Sequence, residues 1–448
     1  MQTYNEEMRS EPTVRDKRKK GLAEESGSPV LNQGSQRKKQ KVSPTSVPKK
    51  LKFEVPTAKF DKIFSIDKLG DPDHAREMKS FYDENGIVCI HLGDKINTRQ
   101  AVREFVTSIF RQMPYRKEFL LNFKLKNKKE IHIDNDEDID DIVNVLLDSR
   151  ITSENLRRLK NALPPHATFG APCTPPSFHL DIENKIRQDE QLYRAITLLL
   201  DNERINCDFN RAIFRVPTVT QGEVFLHFDL DPRAIRSDID SLIQGKVCIT
   251  ACKFICVPGS NTDEFLKGFN EVYAPLYPGR KHGVAKFAIE PGPVKDPWDL
   301  FGKQKAFEIP AGSIVLWSPK ILHGHPSFGR ETPISIGFYL GFGPEVSKEQ
   351  REALVKSYKE GSIPEFWPSG DRVHFFPKKF TNFPFMLQKT VVDKLTPEAH
   401  EALVTTRTTK LGKEVVDMRP WKWKDGNFTP FQFTPLGLYI TGQKEWPK

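Results

Sequence analysis

The run Gly222-Glu223-Val224-Phe225-Leu226-His227-Phe228-Asp229-Leu230 constrains this chain more than any other stretch. It is apolar and strand-like, and it sets a histidine and a carboxylate two positions apart. Side chains at i and i+2 of a strand share a face. His227 and Asp229 can therefore offer one imidazole nitrogen and one carboxylate oxygen to a single point. A second histidine, at the end of another strand, would complete a two-His-one-carboxylate triad. That ligand set holds Fe(II) and keeps coordination positions open. On its own the pair is a weak signal, because a histidine on an apolar strand is more often a hydrogen-bonded core residue.

A second stretch supplies the missing partner: Phe307-Glu308-Ile309-Pro310-Ala311-Gly312-Ser313-Ile314-Val315-Leu316-Trp317-Ser318-Pro319-Lys320-Ile321-Leu322-His323-Gly324-His325. It reads as a turn (Pro-Ala-Gly-Ser), a buried strand, and a histidine at the mouth of the next turn. His323 lies 96 residues after His227, a separation suited to strands distant in sequence and adjacent in a barrel. His325 is the rival. His323 is preferred because it directly follows the apolar Ile321-Leu322.

These motifs together resemble the phytanoyl-CoA dioxygenase-like branch of the Fe(II)/2-oxoglutarate oxygenases, over roughly residues 60–345. Phe81-Tyr82-Asp83-Glu84-Asn85-Gly86-Ile87-Val88-Cys89-Ile90 is similar to that family's helix-then-strand entry. His227-Phe228-Asp229 is similar to its proximal ligand pair. Val257-Pro258-Gly259-Ser260-Asn261 matches its Pro-Gly-Ser turn, with Asn in place of the usual His. The Ala311-to-Trp317 run followed by Leu322-His323-Gly324 is similar to its distal-ligand strand.

The resemblance implies a mainly β fold with flanking helices (α+β) around a double-stranded β-helix, a jelly-roll or cupin-like core. It implies Fe(II) on His227, Asp229 and His323, 2-oxoglutarate as cosubstrate and ascorbate as an auxiliary reductant. The reaction implied is decarboxylation of the oxo acid to succinate and CO₂, coupled to hydroxylation of an unidentified substrate. The family also needs a cation for the far carboxylate of 2-oxoglutarate, a task that suits the planar fork of arginine. The strand after His323, Ile334-Ser335-Ile336-Gly337-Phe338-Tyr339-Leu340, carries no Arg. Arg330 at its edge is the candidate cofactor-binding residue, set against an ordinary turn residue. Lys253 is a second option. A third is loss of 2-oxoglutarate use, leaving a catalytically inactive dioxygenase-fold binding protein.

The net charge of +9 is concentrated at the front of the chain. Residues 1–53 hold 13 Lys/Arg and 6 Asp/Glu, a net of +7, which leaves only +2 for the remainder. This tail is polar, Pro- and Ser-containing and nearly free of aromatics, so it reads as disordered. Its two clusters, Arg15-Asp16-Lys17-Arg18-Lys19-Lys20 and Arg37-Lys38-Lys39-Gln40-Lys41, resemble a bipartite nuclear import signal and imply an import receptor as partner. The body lacks the broad basic face expected of a protein gripping nucleic acid, so the tail is the only segment offering a non-specific grip on DNA or RNA, a subset of the oxygenase reading. There is no signal peptide and no apolar run long enough to cross a bilayer. We therefore expect a nuclear or cytoplasmic protein with reduced thiols, not a secreted or membrane one.

The organisation expected is a basic tail (1–53), a dioxygenase-like domain (54–345) and a C-terminal extension packed on the core (346–448). Helices are expected at 75–85 with Asp73 as N-cap and Gly86 as terminator, at 100–113, 156–163, 188–202, 232–242, 261–273 and 348–358. Strands are expected at 87–92, 247–257, 314–317 and 334–342, with 207–216 leading into the His227 strand and 279–302 a Pro/Gly-rich loop over the site. The acidic run 134–141 lacks EF-hand spacing and reads as a solvated insertion or helix start. Cys248, Cys252 and Cys256 fit neither zinc nor iron–sulfur spacing and read as small core residues on one face of a single strand.

Overall fold

The computed structural model describes residues 62–110, 135–147, 175–215, 225–229, 232, 239–273, 275, 287–289, 297–325, 334–362, 386–388, 405–408, 414–417 and 428–447. The expected helices at 156–163 and, for the most part, 232–242 lie outside those residues, as does the basic tail.

The chain enters through strand β1 (Ile63–Ser65), helix α1 (Pro72–Asn85) and strand β2 (Ile87–His91). The N-cap of α1 is Asp71, whose side chain accepts from the Asp73 amide at 2.9 Å. The expected Asp73 lies inside the first turn instead. Proline at the first helical position explains the shift, because its fixed φ and missing donor suit that site. Gly86 ends α1 in the left-handed region, φ 72°. A Cβ there would also lie 2.5 Å from Asn261 Oδ1, so the turn demands glycine twice over.

Next come α2 (Thr98–Phe105), which runs into a π turn over Val106–Phe110, then α3 (Asp136–Leu147), α4 (Asp181–Arg187) and α5 (Glu190–Leu200). The acidic run does start α3. Asp138 within it is fully buried, so the segment is not a merely solvated one. Helix α4 was not expected from the sequence: seven residues are too few for a clear period.

The central strands are β3 (Ile205–Cys207), β4 (Ala212–Arg215), β5 (Phe225–Phe228), β6 (Ile243–Cys248) and β7 (Cys252–Cys256). Helix α6 (Asp263–Val272), β8 (Phe287–Ile289), a one-turn α7 (Leu300–Lys303) and β9 (Lys305–Ile309) follow. Strands β10 (Ser313–Trp317), β11 (His323–His325) and β12 (Ser335–Pro344) complete the two main sheets. The first is ordered β1-β2-β10-β6-β12-β3, with β4 also on β12; the second is β8-β5-β11-β7-β9. Apart from the β1–β2 pair, every pairing in them is antiparallel. The expected strand at 247–257 is in fact two strands, one in each sheet, joined by a step at residues 249–251. Continuous β-branched and thiol content hid that step. The loop expected at 279–302 likewise contains β8 and the start of α7.

Both sheets obey the period of two. Val88, Ile90, Val247, Ile314, Leu316, Phe338, Leu340 and Phe342 of the large sheet join the helices in one core. Phe228, Ile255 and Val257 of the small sheet pack on Phe265 and Phe269 of α6. Each such side chain contributes about 1.5–3 kcal/mol on burial. The opposite faces meet each other: Cys89, Cys248, Val315 and Trp317 of the large sheet share a cluster with Cys252, Phe254, Cys256 and Phe307 of the small one. The cysteine trio is therefore core, as expected. Cys89, Cys207, Cys248, Cys252 and Cys256 are free and buried, and burial pushes the Cys89 thiol up to about 12.

After β12, helix α8 (Lys348–Glu360) opens with a capping box of Ser347 and Gln350. Strands β13 (Met386–Gln388), β14 (Thr405–Thr408) and β15 (Glu414–Asp417) form a separate sheet, and helix α9 (Pro435–Ile440) closes the described chain. Around α9, Trp446 stacks on Tyr193 and Tyr439 at 5.7 and 5.1 Å, and its indole N–H donates to Ile205 O. No helix among the described residues is long and apolar enough to cross a membrane.

Candidate metal centre

Strands β5 and β11 are antiparallel neighbours, and their register places His323 directly opposite His227. Their ring centroids are 4.5 Å apart. Asp229 sits one residue past the end of β5, on the same side as His227. Its Oδ1 lies 3.5 Å from His227 Nε2, and its Oδ2 lies 3.7 Å from His323 Nε2. One ligand atom from each of the three residues falls within 4.8 Å of the others, and no other such group of three exists among the described residues. His227 and His323 are 6 % and 5 % exposed.

The donor chemistry fits a metal ion. His323 Nδ1 lies 3.1 Å from the Ile321 carbonyl oxygen. A carbonyl only accepts, so Nδ1 carries the proton and Nε2 presents its lone pair to the site. The separations of 3.5 and 3.7 Å are too long for direct hydrogen bonds. Bonds of about 2.1 Å set at right angles would span about 3 Å. The three groups are thus spaced around a point rather than bonded to each other. Phe254 lies parallel to the His323 ring at 5.7 Å, and Trp317 packs at 5.8 Å. These rings form an apolar wall that fixes the imidazole.

One residue of the large sheet, Gln244, reaches the triad, and further polar residues lie along the same row. On β6, Gln244 and Lys246 stand at i and i+2 on the face that also carries Cys248. The Gln244 amide Nε2 donates to Asp229 Oδ2 at 2.8 Å, and Trp317 Nε1 donates to Gln244 Oε1 at 2.8 Å. Lys246, 6 % exposed, donates through Nζ to Ser335 Oγ at 2.9 Å. Across the same row Tyr339 lies opposite Lys246, and the Arg211 guanidinium sits over the Tyr339 ring at 5.8 Å.

The fold brings together the three residues that the sequence offered as ligands, His227, Asp229 and His323. His325 lies on the same strand, opposite Phe225. Arg330 lies outside the described residues. Lys253 is turned away: its neighbours Cys252 and Phe254 face the inner cluster, while its own Nζ pairs with Glu308 at 2.6 Å. Sequence reasoning did not single out Gln244 or Lys246. The available signal was Ile243-Gln244-Gly245-Lys246-Val247, a buried strand with polar residues at alternate positions.

No protein-family model matches the sequence, and no curated protein is significantly similar to it. Solved structures with a partly similar fold include HygX from Streptomyces hygroscopicus with nickel and 2-oxoglutarate bound, at 14 % identity and a TM-score of 0.33, covering 60 % of this chain and 87 % of that one. The non-heme alpha ketoglutarate dependent epimerase SnoN from nogalamycin biosynthesis matches at 10 % identity and a TM-score of 0.33, covering 62 % and 85 %. EctD from S. alaskensis matches at 12 % and 0.31, covering 60 % and 76 %. Likeness at this level adds nothing to the geometry, which carries the functional reading by itself.

Proposed function

We propose that this chain is an Fe(II)- and 2-oxoglutarate-dependent oxygenase built on a double-stranded β-helix, with iron on His227, Asp229 and His323. The observation that carries the proposal is the convergence of those three donors at one end of two paired strands, with a buried lysine in the other main sheet. Bound there, the iron would supply the dioxygen chemistry.

The protein's own groups then have distinct tasks. Three protein ligands leave room on an octahedral ion for a chelating oxo acid and oxygen. Lys246, buried and held by Ser335, would pair with the far carboxylate of 2-oxoglutarate through a charge-assisted hydrogen bond. It takes the role the sequence had offered to Arg330 or Lys253. Ser335 stands at the start of the strand where the resembled family places an arginine, so the cation has moved one strand over. Phe254 and Trp317 exclude water from one side of His323. With Lys246 as the proposed anchor, the missing strand arginine no longer requires the reading as an inactive binding module. The two basic clusters of the N-terminal segment support nuclear import as a further part of this proposal.

The test is anaerobic titration of the purified chain with Fe(II) and then with 2-oxoglutarate. Stoichiometric binding of both, lost in His227→Ala, is expected. Failure of the folded wild type to retain iron would overturn the reading.

A further inference from the structure

We propose that Gln244, oriented by Trp317, is a positioning residue that fixes Asp229 as a one-oxygen ligand. The proposal rests on the metal-site reading above and concerns how the carboxylate is presented.

The argument begins with the indole. Trp317 Nε1–H is a donor and nothing else. Trp317 lies directly opposite Gln244 in the β10–β6 register, and the two side chains meet at 2.8 Å. The atom of Gln244 facing the indole must then be its carbonyl oxygen. That choice leaves the amide NH₂ pointing the other way, toward Asp229 Oδ2 at 2.8 Å. Amide orientation is often ambiguous; here the donor-only indole settles it. Gln244 and Trp317 are 2 % and 4 % exposed, so water does not compete readily for either bond.

An ionised carboxylate is acceptor-only, and both of its oxygens can serve one metal ion. The Gln244 N–H occupies Oδ2 and draws charge toward it. Two-oxygen coordination would have to share or break that bond in a site that offers little solvent to replace it. Oδ2 also lies 3.7 Å from His323 Nε2, so the Gln244 bond acts by weakening that oxygen as a donor and biasing the metal toward Oδ1, 3.5 Å from His227 Nε2. One-oxygen coordination keeps an additional position open, which a chelating oxo acid plus oxygen requires. Asp229 also lies one residue beyond the end of β5, outside the strand pairing found among the described residues. The relay reaches it from the opposite sheet and so spans the sandwich at the metal.

The test uses cobalt(II) as probe on the full chain. Affinity is read by calorimetry and coordination number by visible absorption, for the wild type, Gln244→Ala and Trp317→Phe. Loss of such a supporting bond costs about 10–100-fold in metal affinity. Gln244→Ala should fall in that range, with an absorption change that signals an altered ligand count. Trp317→Phe keeps an aromatic ring against Phe254 and His323 but removes the N–H together with part of the indole; it should shift both readouts in the same direction by less. It also keeps the test valid should Gln244→Ala fold poorly, as checked by circular dichroism. Wild-type affinity and spectrum in both variants would overturn the relay and leave the metal site standing. No cobalt binding by the wild type would overturn the metal site itself.

Discussion

His227 and His323 occupy one cross-strand pair, each the direct neighbour of the other across β5 and β11. Strand pairing and site assembly are therefore one event. A metal that binds only the paired form stabilises the fold, by about 2.7 kcal/mol at a hundredfold excess over Kd. Cobalt(II) should raise the melting temperature of the wild type, and His323→Ala should show no rise. An equal rise in both proteins would place the metal elsewhere.

Lys246→Met keeps most of the side-chain length and removes the charge. A hydrogen bond to a charged group contributes about 1.5–3 kcal/mol, so the affinity of the metal-loaded protein for 2-oxoglutarate should drop roughly 10–100-fold. Metal affinity in the absence of the oxo acid should be unchanged. A titration showing full 2-oxoglutarate affinity in this variant would remove Lys246 from the site.

His179 predicts a pH effect remote from the metal. Its ring packs against Phe209, Tyr358 and Phe428, and its Nε2 bonds to the Ser362 carbonyl at 3.0 Å. Burial pushes its pKa down from 6.5 to about 3. The unfolded chain takes up a proton below about 6.5, while the folded one resists until about 3. This residue's contribution is thus whole above pH 6.5 and is lost progressively as pH falls toward 3. Melting temperatures between pH 7.5 and 4.5 should fall more steeply for the wild type than for His179→Gln. Parallel slopes would contradict the assignment.

Thr250 predicts a loss of stability without a loss of metal. Its hydroxyl donates to Ile334 O at 2.7 Å and accepts from Ile336 N at 2.8 Å, at the point where the chain leaves the large sheet. Thr250→Val strands both backbone groups and should cost about 1–3 kcal/mol, read by denaturant unfolding. A cost near zero would mean that water replaces the hydroxyl.

The triad was legible because its spacing is a local property of strands: two residues apart on one, and one at the end of another. The helices α1, α5 and α6 were legible from caps and apolar period. The step between β6 and β7 was not, because Cys, Ile, Val and Phe suit either sheet equally and no Gly or Pro marks the break. Lys246 escaped for a related reason. A carboxylate anchor was expected on the strand after His323, whereas the lysine proposed for that role stands on a strand adjacent in space and some ninety positions earlier in the chain. Which strands are neighbours is a long-range fact that no local pattern encodes.

The step over residues 249–251 also carries a rule of parity. Cys248 and Cys252 both look inward, and everything on β7 inherits its direction from the length of that step. One residue more or fewer there would reverse the alternation. Phe254 would leave the His323 ring for the exterior, and the ammonium of Lys253 would enter the space beside the histidines. Length in this short connector should tolerate no odd change, even where its residue identities can vary.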